Sequence, residues 1–214
     1  MSRPFSKRVG YDALHTFCRL VGVLGFGIRV FGRELAPRDG TALICANHQS
    51  FFDPVLVGLA LDVRLNYMAR KNLFDVPGLK HLIQYLDAIP IDRDGPGLAG
   101  LKETMKRLKR GEQVLIFPEG TRTRDGEVAS LKSGFVTLAR RTSAPLVPFG
   151  IDGAYQAWPR TQKLPRRSQI ALVVGESISA DEVTALSDTV LVAELERRIR
   201  ACHAQARDYR RSCE

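Results

Sequence analysis

The sequence lacks an apolar run long enough to cross a membrane. Near the N-terminus, nine uncharged residues, 20–28, lie between Arg19 and Arg29, whereas a membrane-spanning helix needs about 20. Basic residues precede this stretch, as they do in a secretory signal, but no small-residue cleavage pattern follows it. We therefore expect neither a transmembrane helix nor a secretory signal.

Cysteine is scarce and widely spaced. The four cysteines, Cys18, Cys45, Cys202 and Cys213, form no Cys-x-x-Cys pair, so the sequence indicates neither a zinc site nor a disulfide framework. A reducing, cytosolic setting fits this pattern. The Gly-x-Ser-x-Gly elbow that carries a nucleophilic serine is also absent.

Acidic residues are outnumbered by basic ones. The 214 residues include 32 Lys and Arg against 23 Asp and Glu, which leaves a net charge of +9. Such a surplus favours anionic partners, namely nucleic acid, anionic lipid or phosphorylated small molecules. The chain lacks the zinc framework, helix-turn-helix and interleaved aromatics of nucleic-acid modules. We therefore expect no nucleic-acid partner and favour lipid or a phosphorylated small molecule.

We interpret the arginine-rich C-terminus as a solvated face rather than a membrane contact.

Residues 11–31 carry apolar side chains at roughly helical spacing, together with Arg19 and Arg29. Two interpretations remain open. The segment is either a helix in the membrane interface, with its cations near lipid phosphates, or a helix packed on the core. Several glycines weaken the helix in both cases. We assign residues 1–33 to an N-terminal amphipathic membrane-association segment and residues 34–214 to one folded domain.

Beyond Pro37, short apolar runs alternate with longer helix-like segments. This alternation predicts an α/β fold, a single domain with a mainly parallel central sheet flanked by helices, plus an N-terminal membrane-interface helix and a C-terminal helix. Strands are predicted at 41–46, 65–69, 88–91, 113–117, 146–151 and 169–174, and helices at 53–61, 78–85, 98–109 and 132–141. A capping box at Ser179 and an apolar stripe from Val183 to Ile199 predict the C-terminal helix.

A histidine and an aspartate follow the first of these strands. His48 lies where the strand ends, which is where open parallel sheets place their ligands. Asp53 and Pro54 are typical of a helix start, with Asp53 as the N-cap. The loop between them can bring Asp53 onto one ring nitrogen of His48, so that the other nitrogen acts as a base. For an isolated pair, a purely structural interpretation, a loop histidine beside a capping aspartate, is favoured.

A second polar run follows the strand at 113–117. Residues 117–122 read Phe-Pro-Glu-Gly-Thr-Arg, and Arg122 offers a planar fork of donors that suits phosphate. Thr121 adds a hydroxyl, and Gly120 allows close approach of the main chain. Arg93, at the end of another predicted strand, is a second candidate cation. Taken singly, each arginine is better explained by pairing with a neighbouring acid.

Together these segments resemble the 1-acylglycerol-3-phosphate acyltransferase family, the lysophosphatidic acid acyltransferases. Residues 47–53 resemble its His-x-x-x-x-Asp block, residues 87–93 its second block, 117–122 its third and 145–148 its fourth. The second block departs from the family pattern, because Asp87 replaces a glycine and Pro90 replaces a larger apolar residue. This departure leaves the acceptor open.

The resemblance implies roles for individual residues. His48 would be the general base and Asp53 the residue that orients it. The acceptor phosphate would be bound by Arg93, Glu119 and Arg122. From the residues themselves, we add Gly120 and Thr121 to this substrate-binding group and assign Glu119 a positioning role in it. The resemblance further implies a fatty acyl donor carried on coenzyme A or acyl carrier protein, phosphatidic acid as the product, and no metal or other cofactor. It implies a peripheral or monotopic enzyme on the cytoplasmic face of a membrane.

Three alternatives stay open at this point. The same chemistry would serve another lysophospholipid or lipid acceptor. A non-catalytic basic protein that binds membrane or nucleic acid would share the charge. A hydrolase would use Cys45 with His48. The last two do not explain why residues 117–122 accompany His48 and Asp53.

Overall fold

A computed structural model of the chain describes residues 24–61, 63–70, 88–91 and 98–212, and the single positions Thr16, Leu20, Gly22, Asp75 and Lys80. Arg93 and Asp87 lie outside these residues, as do most of the N-terminal segment and of the predicted helix at 78–85.

The apolar runs of the sequence form the strands of one sheet. The strands are β1 (Arg29–Phe31), β2 (Ala42–Ala46), β3 (Leu65–Arg70), β4 (Ile89–Ile91), β5 (Gln113–Ile116), β6 (Leu146–Asp152) and β7 (Ala171–Val174). Their order across the sheet is β1-β7-β6-β2-β5-β3-β4. The β6–β7 pair is antiparallel and the other neighbours are parallel. The predicted α/β class with a mainly parallel sheet is confirmed.

Helices cover both faces of this sheet. They are α1 (Asp53–Ala60), α2 (Leu98–Leu108), α3 (Gly134–Thr142), α4 (Ala154–Ala157), α5 (Ala180–Ala185) and α6 (Asp188–Arg211), with a 3-10 helix at Arg33–Leu35. Strand β2 is fully buried. Its alternate side chains enter two separate cores, because successive strand residues point to opposite faces. Ile44 packs in the core that contains α1, whereas Leu43 and Cys45 pack in the core of α3 and α6.

Strand β1 was not predicted. The helical spacing of residues 11–31 extends through it, but Gly27 has a φ of 54°, a left-handed conformation that glycine adopts readily and that ends helices. The chain then extends, and Arg29 to Phe31 pair with β7 from Ala171 to Val173. The last residues of the predicted membrane-association segment therefore belong to the sheet.

The predicted C-terminal stripe is divided between two helices. The capping box at Ser179 is present, since its side chain accepts from the Glu182 amide and the Glu182 side chain accepts from the Ser179 amide. Helix α5 ends before Leu186, which is extended, and Ser187 then caps α6 by accepting from the Val190 amide. The same apolar pattern continues in α6, because Leu191, Leu195 and Ile199 are buried on the sheet. Across the described residues, none of the helices combines the length and the apolar character that spanning a bilayer requires.

Helix α6 lies unusually close to β6. A Cβ atom added to Gly150 would overlap the main chain of Cys202 and His203, so only a hydrogen atom fits between strand and helix. This contact fixes the height of α6 above the sheet and brings its C-terminal half over the end of β6.

We expect Gly150→Ala to lower the free energy of unfolding by about 3 kcal/mol, because the main chain of α6 must move away from the sheet. Gly58→Ala is the matched control, since Gly58 lies within α1 and an added Cβ meets nothing within 4 Å. That change should leave stability unchanged or raise it by up to about 1 kcal/mol. Urea denaturation of both variants measures the difference, and equal stabilities would contradict the close approach.

Candidate active site

The predicted base and its partner are in contact. His48 Nδ1 lies 2.7 Å from Asp53 Oδ2. The Asp53 side chain is completely buried, whereas the His48 side chain keeps 16% exposure. Because the carboxylate accepts the proton on Nδ1, Nε2 of a neutral His48 has the lone pair and can take a proton from a substrate.

Asp53 also organises the loop that precedes it. Its Oδ2 accepts hydrogen bonds from the main-chain amides of Gln49, at 2.6 Å, and Ser50, at 2.7 Å. The prediction of Asp53 as an N-cap is wrong by one position, because Phe52 is the N-cap and Asp53 is the first helical residue. The carboxylate instead reaches back across the turn. This buried charge is therefore compensated by three donors from its own loop.

The second polar run is joined to this loop. The His48 amide donates to Glu119 Oε1 at 2.8 Å, and the Thr123 amide donates to the His48 carbonyl at 2.7 Å. Since β2 and β5 are parallel neighbours, both loops leave the same edge of the sheet. The predicted meeting of the two segments is confirmed by these contacts.

Glu119 uses both carboxylate oxygens within the protein. Besides the His48 amide on Oε1, Oε2 accepts from the Ala129 amide at 3.0 Å. The side chain is buried, and this burial raises its pKa to about 7. These contacts bind Glu119 to the His48 main chain, whereas its place in the substrate-binding group stays a prediction.

Phe117 sets the plane of the His48 ring. The two rings are stacked, with centroids 4.0 Å apart and an angle of 15° between planes. Phe117 also borders an apolar cavity of about 250 Å³ between the sheet, α2 and α3. The cavity is lined by Met68, Leu101, Ile116, Phe117, Pro118, Lys132, Gly134, Phe135 and Leu138. An apolar space therefore opens beside the base.

Three of the predicted substrate-binding residues, Gly120, Thr121 and Arg122, directly follow Glu119, which binds the His48 amide. The Arg122 guanidinium carbon stands 3.5 Å from the centroid of the Phe51 ring, a cation–π geometry. Gly120 has a φ of 75°, and the end of the Lys132 side chain packs where a Cβ of residue 120 would lie. Thr121 is exposed. Phosphate binding by Gly120, Thr121 and Arg122 stays a prediction, and Arg93 lies outside the described residues.

Neither candidate protein nucleophile is placed to react. Cys45 is fully buried, which raises the pKa of its thiol far above the usual range. Its Sγ lies 3.5 Å from the Leu43 carbonyl. The Ser50 hydroxyl donates to the Trp158 carbonyl at 2.9 Å. The geometry therefore disfavours the hydrolase that would use Cys45.

A hydrogen-bond network that the sequence did not predict holds the loop between His48 and Asp53. The Gln49 side-chain oxygen accepts from the Tyr155 amide at 3.2 Å, and its nitrogen donates to the Gly126 carbonyl at 2.7 Å. These partners set the orientation of the amide. The same nitrogen lies 3.2 Å from His203 Nε2 on α6. An amide nitrogen only donates, whereas the same Nε2 lies 3.3 Å from the Asp152 carboxylate, which only accepts. The His203 ring therefore lies between a donor on Gln49 and an acceptor on Asp152.

Asp152 completes this network at the end of β6. It is buried with His203, whose Nε2 lies 3.3 Å from Asp152 Oδ1, and it accepts from Arg210 Nε at 2.6 Å. One signal in the sequence pointed to this site, because His203 falls on the apolar face of a helix, four residues after Ile199. Nothing in the sequence connected it to Gln49.

A family model described as Acyltransferase matches residues 27–152, more than half of the chain. The chain belongs to the acyltransferase family. The match includes His48, Asp53 and the whole run at 117–122, and it ends before α6. The family resemblance of the sequence is confirmed.

Several relatives are similar over most of this acyltransferase. It is 34% identical to the 1-acyl-sn-glycerol-3-phosphate acyltransferase of Bacillus subtilis over 77% of this chain and 82% of that protein. It is 30% identical to the enzyme of the same name from Pseudomonas aeruginosa over 83% of this chain and 71% of the relative. For the chloroplastic enzyme LPAT1 of Arabidopsis thaliana, the identity is 28% and the match spans 46% of the plant protein, about half its length.

The fold of the acyltransferase has a solved counterpart. The crystal structure of the 1-acyl-sn-glycerophosphate acyltransferase PlsC from Thermotoga maritima superposes with a TM-score of 0.81. The match covers 96% of this chain and 83% of PlsC, at 24% sequence identity. This likeness concerns the fold, and it confirms the single α/β domain.

We expect His203→Leu to lower kcat about tenfold with little change in KM, because Gln49 loses one partner and the loop that carries His48 and Asp53 becomes less well placed. His203→Gln should retain most of the activity, since its amide oxygen can accept from Gln49. Steady-state kinetics of acyl transfer and thermal unfolding of both variants make the comparison. Equal losses of kcat in the two variants at equal stability would contradict a positioning role for His203.

Proposed function

We propose that this acyltransferase transfers a fatty acyl group from acyl-CoA or acyl carrier protein to the free hydroxyl of 1-acylglycerol 3-phosphate, giving phosphatidic acid. The observation that carries the proposal is the His48–Asp53 contact at 2.7 Å, in a site where neither Cys45 nor Ser50 is placed to act as a nucleophile. A base of this kind acts on a hydroxyl supplied by the substrate, so the acyl group passes directly from thioester to alcohol.

The geometry supports a reaction in two stages. Nε2 of His48 takes the proton of the acceptor hydroxyl as its oxygen attacks the thioester carbonyl, and Asp53 stabilises the imidazolium that forms. The tetrahedral intermediate then expels the sulfur. As the carbon–sulfur bond breaks, the imidazolium returns its proton to the leaving thiolate. The products are the ester and the free thiol, and His48 is neutral again. No metal or cofactor takes part in these steps.

The choice of a phosphate-bearing acceptor is supported by Arg122 and by the relatives. Arg122 ends the run whose Glu119 accepts from the His48 amide, and its guanidinium lies over the ring of Phe51, in the loop between His48 and Asp53. A planar guanidinium forms paired hydrogen bonds with phosphate oxygens. Three relatives from two bacteria and a plant are named 1-acyl-sn-glycerol-3-phosphate acyltransferases. Thr121 and Gly120 would add hydrogen-bond donors, with Arg93 as a second cation.

The apolar cavity beside Phe117 suits the acyl chain. Its lining is aliphatic and aromatic apart from Lys132, and burial of methylene groups in such a space contributes about 0.8 kcal/mol each. A membrane is the source of such a lipid substrate. We propose peripheral or monotopic association with the cytoplasmic face of a membrane, to which the N-terminal segment at 1–33 would contribute through exposed side chains such as Leu20 and Leu24.

We expect His48→Ala to abolish turnover, with a fall of about 10³-fold or more in kcat, because no other described group is placed to take the hydroxyl proton. Release of free thiol from acyl-CoA in the presence of 1-acylglycerol 3-phosphate measures the reaction. Circular dichroism and thermal unfolding provide the control for folding. Full activity in a folded His48→Ala variant would overturn the mechanism.

We expect Arg122→Ala to raise the KM for 1-acylglycerol 3-phosphate about 10- to 100-fold, because a charge-assisted hydrogen bond contributes roughly 1.5–3 kcal/mol. The KM for the acyl donor should change little. Arg124→Ala is the matched control, since Arg124 is an exposed arginine two residues away, and it should leave both values within about twofold.

A panel of acceptors separates this substrate from its alternatives. Wild-type protein and Arg122→Ala are assayed with 1-acylglycerol 3-phosphate, glycerol 3-phosphate, other lysophospholipids and an uncharged monoacylglycerol. A penalty confined to acceptors with a phosphate monoester supports the proposed site. A strong preference of the wild type for the uncharged acceptor would remove the role of Arg122.

A further inference from the structure

Residues 159–167 form a surface loop of one charge sign, which we call the basic loop. Its sequence, Pro-Arg-Thr-Gln-Lys-Leu-Pro-Arg-Arg, contains four cations and no acid. Arg160, Lys163, Arg166 and Arg167 are all exposed. Within the part of the chain that the structure describes, none of the four forms an ion pair with a carboxylate. Their charge is therefore available to an external partner.

The basic loop presents an apolar side chain among these cations. Leu164 is 78% exposed, more than any other large apolar side chain described. Hydrogen bonds close the loop on both sides of Leu164. The indole nitrogen of Trp158 donates to the Gln162 carbonyl at 3.1 Å, and the Arg166 amide donates to the Ala157 carbonyl at 2.8 Å. Leu164 lies between these closures and is held away from the core.

The loop is attached to the active site through aromatic side chains. Trp158 contacts Phe51 and Phe52, with ring centroids 5.1 Å and 4.9 Å away, and its carbonyl accepts from the Ser50 hydroxyl. Phe51 is 46% exposed, and Val55, one helical turn further along the chain, is 43% exposed. Exposed apolar side chains therefore extend from the base of the basic loop to the residues between His48 and Asp53.

The arginines of the C-terminal helix have a different environment. Arg197 and Arg198 pair with Glu194, Arg200 pairs with Glu196, and Arg210 pairs with Asp152. The arginine-rich stretch that stands out in the sequence is thus largely neutralised within the protein. The basic loop instead combines unneutralised cations with an exposed leucine.

We propose that the basic loop is a docking surface for an anionic lipid bilayer. Its cations would lie among lipid phosphates, and Leu164 would enter the acyl boundary, the combination by which surface segments bind membranes. Phe51 and Val55 would face the same interface, so that a lipid acceptor reaches His48 from the bilayer. The proposal rests on the proposed function for its lipid substrate. A nucleic-acid backbone would pair with the cations, but it offers no apolar region to contact the exposed Leu164, Phe51 and Val55 side chains.

The single tryptophan of the protein provides the probe. Trp158 lies at the base of the basic loop, so docking should bring it within reach of quenchers in the bilayer. Wild-type protein is titrated with vesicles of phosphatidylglycerol and phosphatidylcholine, or of phosphatidylcholine alone, with brominated lipids as quenchers. We expect binding and quenching with the anionic vesicles, and binding that weakens as salt is raised.

The deciding variant is R160Q/K163Q/R167Q, which removes three charges and keeps the loop closure made by Arg166. It should weaken binding to anionic vesicles about 30- to 100-fold. The matched control is R197Q/R200Q/R211Q, which removes three charges from α6 and should change binding by less than about threefold. Leu164→Ser should weaken binding with all charges retained. Binding of the loop variant equal to that of wild type, or vesicle binding without quenching of Trp158, would overturn the proposal.

Two further measurements separate this proposal from nucleic-acid binding and from a failure of the proposed function. Tight binding of a DNA duplex by the loop, without binding to vesicles, would assign the surface to nucleic acid and also overturn the proposal.

Activity is compared with short-chain, water-soluble substrates and with an acceptor embedded in vesicles. The loop variant should match wild type in the first assay and lose activity in the second. Absence of acyl transfer by wild type in both assays would refute the proposed function, whatever the vesicle binding shows.

Discussion

The completely buried carboxylate of Asp53 is the constraint on which the rest of the site depends. A charge removed from water is tolerated only when hydrogen-bond donors offset it, and Oδ2 of this carboxylate accepts from His48 Nδ1 and from the amides of Gln49 and Ser50. The same bonds that stabilise the charge fold the loop and select the tautomer of His48. Stability and reactivity therefore arise from one set of contacts.

The parallel sheet positions the segments that contact the loop between His48 and Asp53. Because β2, β5 and β6 are adjacent and parallel, the loops after them leave at one edge. Glu119, after β5, binds the His48 amide, and Asn47 exchanges two hydrogen bonds with the main chain of Ile151 in β6. The loop is thus held by the segment after β5 on one side and by β6 on the other. Such fixed placement is what the proposed general base needs, since its effect depends on geometry at the reacting atoms.

The surface of the protein divides its positive charge between two environments. On α6, arginines pair with glutamates of the same helix or with Asp152, where they stabilise the helix and its contact with β6. On the basic loop, the cations meet no carboxylate among the described residues and surround Leu164. A net charge of +9 is a property of the whole chain, but only its distribution decides which face attracts an anionic partner.

The sequence by itself determined the α/β class, the strands from 41 to 174 and the pairing of His48 with Asp53, because these depend on local patterns. Apolar runs, turn residues and a six-residue motif are read within a short window. The tertiary structure alone decided the rest. Arg29 to Phe31 became a strand because β7 offered an open edge, and Gln49 gained His203 as a partner across 154 positions of the chain. Glu119 acquired its partners in the same way. Contacts of this range leave no periodic signal in the sequence, since they arise only when the sheet brings distant loops to one edge.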